Sequence, residues 1–350
     1  MIKRTKRWPR GPERSKSNLI RLGLTSGDPA GIGPEVLLKA LACEKKLPTA
    51  AYLIFGPEEI IRREIKALKL KINLLSFSHW EDMSQPGFYL FSTDDGPLSI
   101  KKGEPSAEAG QISFKSFARA IEMASQGYLE AVVTAPVSKL SWSLAGLPWR
   151  GHTEYLEGIY PEAIMAFWSQ KIRVALFSHH VSLKQAMEKV KKASLLEFFL
   201  RLENSVRPLA RNKIEFLVAG LNPHASEEGL LGEEEKKEII PAIQEAQKRG
   251  LNFSGPYPPD TIFRMALEKK GCWVVALYHD QGLIAFKLMS FEKGVNVTLG
   301  LPFIRTSPDH GTAFDIATKR IASEQSMLAA INLAYKMARR SGPPALHLSP

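Results

Sequence analysis

Short apolar runs recur along this chain, and each stops at a knot of glycine or polar residues that opens an amphipathic stretch. LIRLGLTS (19–26) leads into GDPAGIGPEVLLKALA, AYLIFG (51–56) into EEIIRREIKALKL, and LEAVV into Thr134-Ala135-Pro136-Val137-Ser138-Lys139. IRVALFS (172–178), KIEFLVAGLNPH (213–224) and WVVALYHD repeat the pattern further on. Apolar runs of this length, bounded by turn signals and alternating with helical spacing, specify βα units on a largely parallel sheet. The expected fold class is therefore α/β, and such sheets place their ligands at the carboxyl ends of the strands. KINLLSF is a further strand candidate, SFKSFARAIEMASQG (113–127) a helix and INLAYKMARR a terminal helix, whereas residues 80–110 and the proline-rich GPYPPDTIF (255–263) read as irregular excursions.

A chain of 350 residues has room for two domains, and 44% hydrophobic with 24% charged residues suits a globular enzyme. No run of 18 apolar residues occurs, and the N-terminus MIKRTKRWPRGPERSKSN lacks the apolar middle of a secretory signal, which places the protein in the cytoplasm and off the membrane. Cys43 and Cys272 show no paired spacing, in keeping with a reducing compartment and against a thiolate metal site. The net charge of +11 is concentrated in residues 1–17, where seven Lys and Arg face one Glu. Without a stacking platform or recognition helix, that stretch reads as a disordered basic tail, and nucleic acid is excluded as the main ligand.

The spacing G-x-x-x-G-x-G from Gly27 to Gly33 is neither the dinucleotide fingerprint nor a P-loop. It is a tight turn or a ligand contact, with Asp28 beside it. The Thr134–Lys139 segment is likewise a ligand loop or a helix start capped by Ser138. Three of the eight histidines, His180, His224 and His279, follow apolar strands closely, so a parallel sheet would bring them to one edge. Three neutral imidazoles suffice for a catalytic Zn²⁺ that keeps one position open; the alternative is three hydrogen-bonded loop residues. Spacing does not decide between His179 and His180. Asp260 and Asp280 are candidate acid/base or ligand-orienting carboxylates. Downstream, Lys287, Asn296 and Arg305 offer a point charge, an amide and a planar fork to an anion, or lie on solvated faces.

Taken in order, GDPAGIGPE (27–35), VTAPVSK (133–139), GHTE (151–154), LNPHA (221–225), PPDT (258–261), YHDQG (278–282), GVNVTLGLPFIRTS (294–307) and DHGTA (309–313) resemble the 4-hydroxythreonine-4-phosphate dehydrogenase (PdxA) family of pyridoxal phosphate biosynthesis. The likeness runs from residue 19 to about 340. It implies two α/β/α domains with an interdomain cleft, similar to isocitrate and isopropylmalate dehydrogenases. The expected division is a basic tail over 1–17, a cofactor-side domain over 18–140 plus 294–342, and a metal, substrate and dimerisation domain over 141–293. A homodimer is implied, with each active site shared between chains.

Carried over residue by residue, the resemblance makes His180, His224 and His279 the ligands of one divalent metal, Zn²⁺, Co²⁺ or Mg²⁺, with RVAL selecting His180 over His179. It makes His152, Thr153, Lys287, Asn296 and Arg305 the contacts to a small phosphorylated hydroxy acid. DHGTAFDIA resembles the adenosine-binding segment of isopropylmalate dehydrogenases, so His310, Gly311 and Asp315 are expected to meet the cofactor, NAD or NADP, with Asp315 favouring NAD. Ser226-Glu227-Glu228 departs from the family, which commonly has a glycine and then an acid after the histidine.

The implied reaction is metal-dependent oxidation of 4-phosphohydroxy-L-threonine to a 3-oxo acid that decarboxylates to 3-amino-2-oxopropyl phosphate. Asp260 is the first candidate for the base and Lys139 the second. Two alternatives stand beside it: a dehydrogenase of threonate or erythronate 4-phosphate, and a transferase or phospho-ligand binding module on a similar frame.

Overall fold

A computed structural model describes residues 19–94, 98–210, 212–269 and 271–341; the basic tail over 1–17 lies outside the described residues. β1 (Arg21–Thr25) leads to α1 (Gly33–Ala42), β2 (Ala51–Gly56) to α2 (Glu58–Ala67), β3 (Leu74–Ser76) and β4 (Gly87–Ser92) to α3 (Ala107–Ser125), and β5 (Ala131–Thr134) to α4 (Lys139–Leu144). Next come α5 (His152–Ile159), β6 (Ile164–Trp168), β7 (Arg173–Leu176), α6 (Leu183–Lys189) and α7 (Lys192–Val206). β8 (Phe216–Ala219) precedes α8 (Ile240–Lys248), β9 (Phe253–Tyr257) precedes α9 (Ile262–Glu268), and β10 (Trp273–Ala276) precedes α10 (His279–Ser290). β11 (Val295–Leu299), β12 (Ile304–Pro308) and α11 (Gln325–Ser341) close the chain.

The described residues divide into two compact units. One runs to Gly151 and adds Pro302–Thr306 and the segment from His310 onward; the other comprises His152–Leu301 and Ser307–Asp309. In the first unit the strand order is β3-β4-β2-β1-β5-β12, all neighbours parallel. Leu22, Leu24, Leu53, Ile54 and Phe55 are fully buried there, as expected of strands covered on both faces. The sheet is roofed by α3, whose start is fixed by Ser106: its hydroxyl accepts from the Ala109 amide at 3.1 Å.

The second unit has the order β11-β6-β7-β10-β8-β9. Its β7, β10, β8 and β9 run parallel, while β6 is antiparallel to both β7 and β11. Val174, Leu176, Leu217, Ala219, Val274 and Ala276 form its core with Leu283 and Phe286 of α10.

Five strands, β4, β6, β9, β11 and β12, were not foreseen in the residue pattern. β4 lies within the stretch read as irregular, because GFYLFS is flanked so closely by Pro, Ser and Asp that its short apolar run reads as turn. β9 takes in Gly255 and Pro256 of the expected proline-rich loop, and β6 lies in a segment read only as amphipathic. β11 also departs from the expected division: it lies in the second unit, paired antiparallel with β6 from Val295↔Trp168 to Leu299↔Ile164, so that unit extends to Leu301 rather than residue 293.

Candidate active site

The parallel register of β7, β10 and β8 is what builds the candidate site. Val275 pairs with Ala175 on one side and Val218 on the other, so the three strands finish level. His180, His279 and His224 each follow within a few residues, on three neighbouring loops of one sheet edge. β9 extends the same edge beyond β8, with Ala219 opposite Tyr257, and the chain after it carries Asp260, exposed, just ahead of α9.

At the side-chain level the assembly is partial. The rings of His180 and His279 lie 5.7 Å apart between centroids. Among the described residues, no group of three or more His, Cys, Asp or Glu side chains is close enough to hold a metal ion, so His224 does not join the pair in this conformation. His224 begins a left-handed turn that runs through Glu228, with φ of 53, 54, 69, 48 and 59°. His180 is also left-handed, at φ 50°. For residues with a side chain this region is strained, and such strain concentrates where side chains are aimed at ligands.

The donor chemistry nonetheless fits a metal. His279 Nδ1 lies 2.6 Å from Asp280 Oδ1, which orients the ring and leaves Nε2 as the nitrogen for a ligand. The adjacent His179 is engaged otherwise, its Nε2 lying 2.8 Å from Glu157 Oε1.

A set of buried polar groups stitches the three loops to one another, and none of them stood out as a site residue in the sequence. Ser178 Oγ donates to the Leu277 carbonyl at 2.7 Å, joining the ends of β7 and β10. Gln281 accepts at Oε1 from the Leu277 amide (2.7 Å) and donates from Nε2 to the Gly220 carbonyl (2.8 Å), joining β10 to β8. Glu235, 1% exposed, accepts from the backbone amides of Leu221 and Asn222 at 2.7 and 2.8 Å and from Asn222 Nδ2 at 2.8 Å, fixing the loop that carries His224. Glu235 sits in the acidic stretch SEEGLLGEEEKKE, where nothing in the residue order marks one glutamate as buried.

Asp309 was overlooked too, although it opens the DHGTA block. Its carboxylate lies 3.8 Å from Lys287 Nζ. Burial pushes its carboxyl up, against the pull of the Lys287 and His279 charges. Lys287 itself is exposed on α10, Asn296 is half-buried on β11, and His152 and Thr153, both half-buried, open α5.

In the first unit, Arg305 on β12 is 2% exposed and donates from Nη2 to Thr134 Oγ1 at the end of β5, 2.6 Å away. Desolvation pushes its guanidinium down to about 9, which still leaves it cationic at neutral pH. A buried cation held by a hydroxyl suits a bidentate anion. Ser138 does cap α4, accepting from the Ser141 amide at 3.1 Å, so Lys139 is the exposed first residue of that helix.

The Gly27–Gly33 turn is explained by close backbone approach. Gly27 has φ 71°, and a Cβ there would lie 2.4 Å from the Pro136 carbonyl; a Cβ on Gly31 would meet Thr312 at 2.8 Å. The segment after His310 therefore packs directly on the turn, with the Ile32 amide donating to the Thr312 carbonyl at 3.0 Å. His310 Nδ1 sits 3.1 Å from the Gly311 carbonyl, and burial pushes that imidazole down toward neutrality. Gly311 has open space where a Cβ would stand, and Asp315 is exposed.

Against known proteins, residues 48–334 match the family model described as pyridoxal phosphate biosynthetic protein PdxA. A 4-hydroxythreonine-4-phosphate dehydrogenase of Aquifex aeolicus is 41% identical over 89% of this chain and 97% of its own length. A D-threonate 4-phosphate dehydrogenase of Salmonella typhimurium is 38% identical over 91% of this chain and 98% of that protein. The crystal structure of 4-hydroxythreonine-4-phosphate dehydrogenase from Klebsiella pneumoniae superposes with a TM-score of 0.82 at 36% identity, covering 93% of this chain and all (100%) of that one.

Proposed function

The chain belongs to the pyridoxal phosphate biosynthetic protein PdxA family, and from that premise we propose that it oxidises 4-phosphohydroxy-L-threonine at the 3-hydroxyl. A nicotinamide dinucleotide takes up the hydride, and the 3-oxo acid loses CO₂ to give 3-amino-2-oxopropyl phosphate. The observation that carries this reading is the level finish of β7, β10 and β8, which delivers His180, His279 and His224 to one sheet edge with the His279 ring already oriented by Asp280.

When bound, a divalent ion held by these three imidazoles supplies Lewis acidity toward the substrate oxygen, and the dinucleotide supplies the hydride acceptor. Imidazole donors favour Zn²⁺ or Co²⁺ over Mg²⁺. Lys287, with Asp309 beside it, and Asn296, His152 and Thr153 hold the charged ends of the substrate, which fixes the reacting carbon and removes orientational freedom. Arg305 is assigned the same anion-directed role from the first unit. Asp260 takes the proton of the 3-hydroxyl, with Lys139 the second candidate. Gly311 and Asp315 serve the dinucleotide: the first leaves an open backbone face, and the second offers acceptors to the ribose hydroxyls, which favours NAD over NADP. We further propose a homodimer that shares its active sites between chains. Its support is the exposed apolar row of Ile284 and Leu288 on α10 and Phe291 just after it, 62, 83 and 79% exposed.

A second substrate is favoured by one observation, the 38% identity to a D-threonate 4-phosphate dehydrogenase. The two substrates differ at carbon 2, while the metal and phosphate groups serve either. Full-length protein with added Co²⁺ or Zn²⁺, NAD and a panel of four-carbon acid phosphates, followed by NADH absorbance and CO₂ release, tests the assignment. The highest kcat/KM is expected for 4-phosphohydroxy-L-threonine. A clear preference for threonate or erythronate 4-phosphate would transfer the assignment to that substrate, and no NADH from any of them would leave a binding module or transferase.

A further inference from the structure

Residues 310–322 lie between β12 and α11 with no helix or strand of their own, yet they carry His310, Gly311 and Asp315. The bonds within the segment are short-range: the Ile316, Ala317 and Lys319 amides donate to the Ala313, Phe314 and Ile316 carbonyls. Its shape is therefore set by what grips it from outside. Near its start the Ile32 amide donates to the Thr312 carbonyl at 3.0 Å, and Phe314 packs on Ala30, Ile60, Ile100, Ala109 and Ile112. Its far end is gripped by charge. Glu35 of α1, fully buried, accepts at Oε1 from the Ala322 amide at 2.9 Å and from Lys39 Nζ, one turn on, at 2.7 Å. The same ammonium donates to the Arg320 and Ala322 carbonyls at 3.0 and 2.9 Å, so all three of its donors are engaged. From α2, Glu64, 1% exposed, lies 3.7 Å from Arg320 Nη2.

A buried ion pair is a costly fastening where stability alone is wanted, since apolar residues of similar volume often serve as well. What it provides is placement. Arg320 holds a left-handed φ of 53°, a conformation that persists only where its surroundings enforce it, and its carbonyl is one of the two that Lys39 holds. Toward solvent the segment presents the open backbone of Gly311 and the exposed Asp315 carboxylate, groups suited to the ribose hydroxyls of a dinucleotide.

We infer that Glu35 and Lys39 are positioning residues: together they hold residues 310–322 in the shape that presents Gly311 and Asp315, and through that shape they set the affinity for NAD. The inference rests on the reading above, in which this segment meets the dinucleotide. It assigns neither Glu35 nor Lys39 a contact with dinucleotide or substrate.

The test uses full-length protein without substrate and has two readouts: hydrogen exchange over residues 310–322 with no dinucleotide present, and the NAD dissociation constant by calorimetry. Lys39→Met keeps the length of the side chain and removes its three hydrogen bonds. Exchange of the held amides, that of Ala322 among them, is expected to quicken about tenfold or more. A freed segment that keeps its native shape about a tenth of the time raises the NAD constant about tenfold, and saturating NAD restores the lost protection. Glu35→Gln, which keeps an acceptor for the Ala322 amide and removes the charge, keeps the test open should Lys39→Met fail to fold; a rise of several-fold is expected. Ile121→Ala, toward the far end of α3, is the control for general destabilisation: its melting temperature should fall with the NAD constant unchanged. Unchanged exchange over 310–322 in a folded Lys39→Met, or in Glu35→Gln if that variant alone folds, would overturn the inference. So would faster exchange with wild-type affinity for NAD, or an equal loss of affinity in Ile121→Ala. Gly311→Val, which covers the open backbone, tests the underlying reading separately. Should it bind NAD as wild type does, or should wild type take up no NAD, the dinucleotide reading of this segment falls and the inference with it.

Discussion

Five consecutive residues with side chains, His224 to Glu228, hold left-handed backbone angles, a conformation that costs about 1–2 kcal/mol for each residue carrying a Cβ. Something must offset that cost. Glu235 takes three hydrogen bonds from Leu221 and Asn222 just ahead of the turn, and the Leu231 amide closes it on the Ser226 carbonyl at 3.0 Å. Ser226, at φ 69° and 2% exposed, occupies the position where the family resemblance leads one to expect glycine. Glycine reaches this region without steric penalty. Ser226→Gly is therefore expected to raise stability by about 1 kcal/mol, read as a higher denaturant midpoint at unchanged slope. An unchanged or lower midpoint would mean that the serine makes up for its strain in another way.

Between elements, the polar groups at strand ends serve as joints. Asp28, fully buried after β1, accepts from the Ala30 amide at 2.9 Å and reaches Ser141 and the Ser138 backbone at the start of α4. Burial raises its carboxyl above the ordinary 3.8, and those three hydrogen bonds hold it down in part. The sign follows from linkage: between the unfolded value and the raised folded value only the native state keeps the proton, so stability falls as pH rises through that window. Asp28→Asn keeps an acceptor for Ala30 and removes the buried charge. Its stability relative to wild type is thus expected to improve on going from pH 3 to pH 7, measured by urea unfolding at both. A difference that does not change with pH would show that the carboxyl does not titrate differently in the two states. Most of these elements were legible as apolar runs with a glycine or polar stop. β4 and β9 were not, because proline and serine at their borders imitate turns, and pairing with a neighbouring strand outweighs that local signal.

For the whole molecule, the family and the α/β class follow from motifs spread over nearly the full chain. The exposed row Ile284, Leu288 and Phe291 gives the proposed homodimer a testable face. Leu288→Glu places a charge in it, and the species observed by sedimentation is expected to pass from dimer to monomer with the secondary structure intact. A dimer that persists at low micromolar concentration would put the interface elsewhere. Among the described residues, no helix is long and apolar enough to cross a membrane. The residue order alone determined the strand-and-helix alternation, the placing of His180, His224 and His279 after strands, and the family, because periodicity and motif spacing are local properties of a chain. Tertiary structure alone decided that β7, β10 and β8 are neighbours finishing level, that β11 joins the second unit, and that Gln281 and Glu235 are buried joints rather than surface residues. Hydrogen bonds between groups 61 positions apart, as for Gln281 and Gly220, leave no periodic trace, and burial of one glutamate among several is settled only by what packs over it.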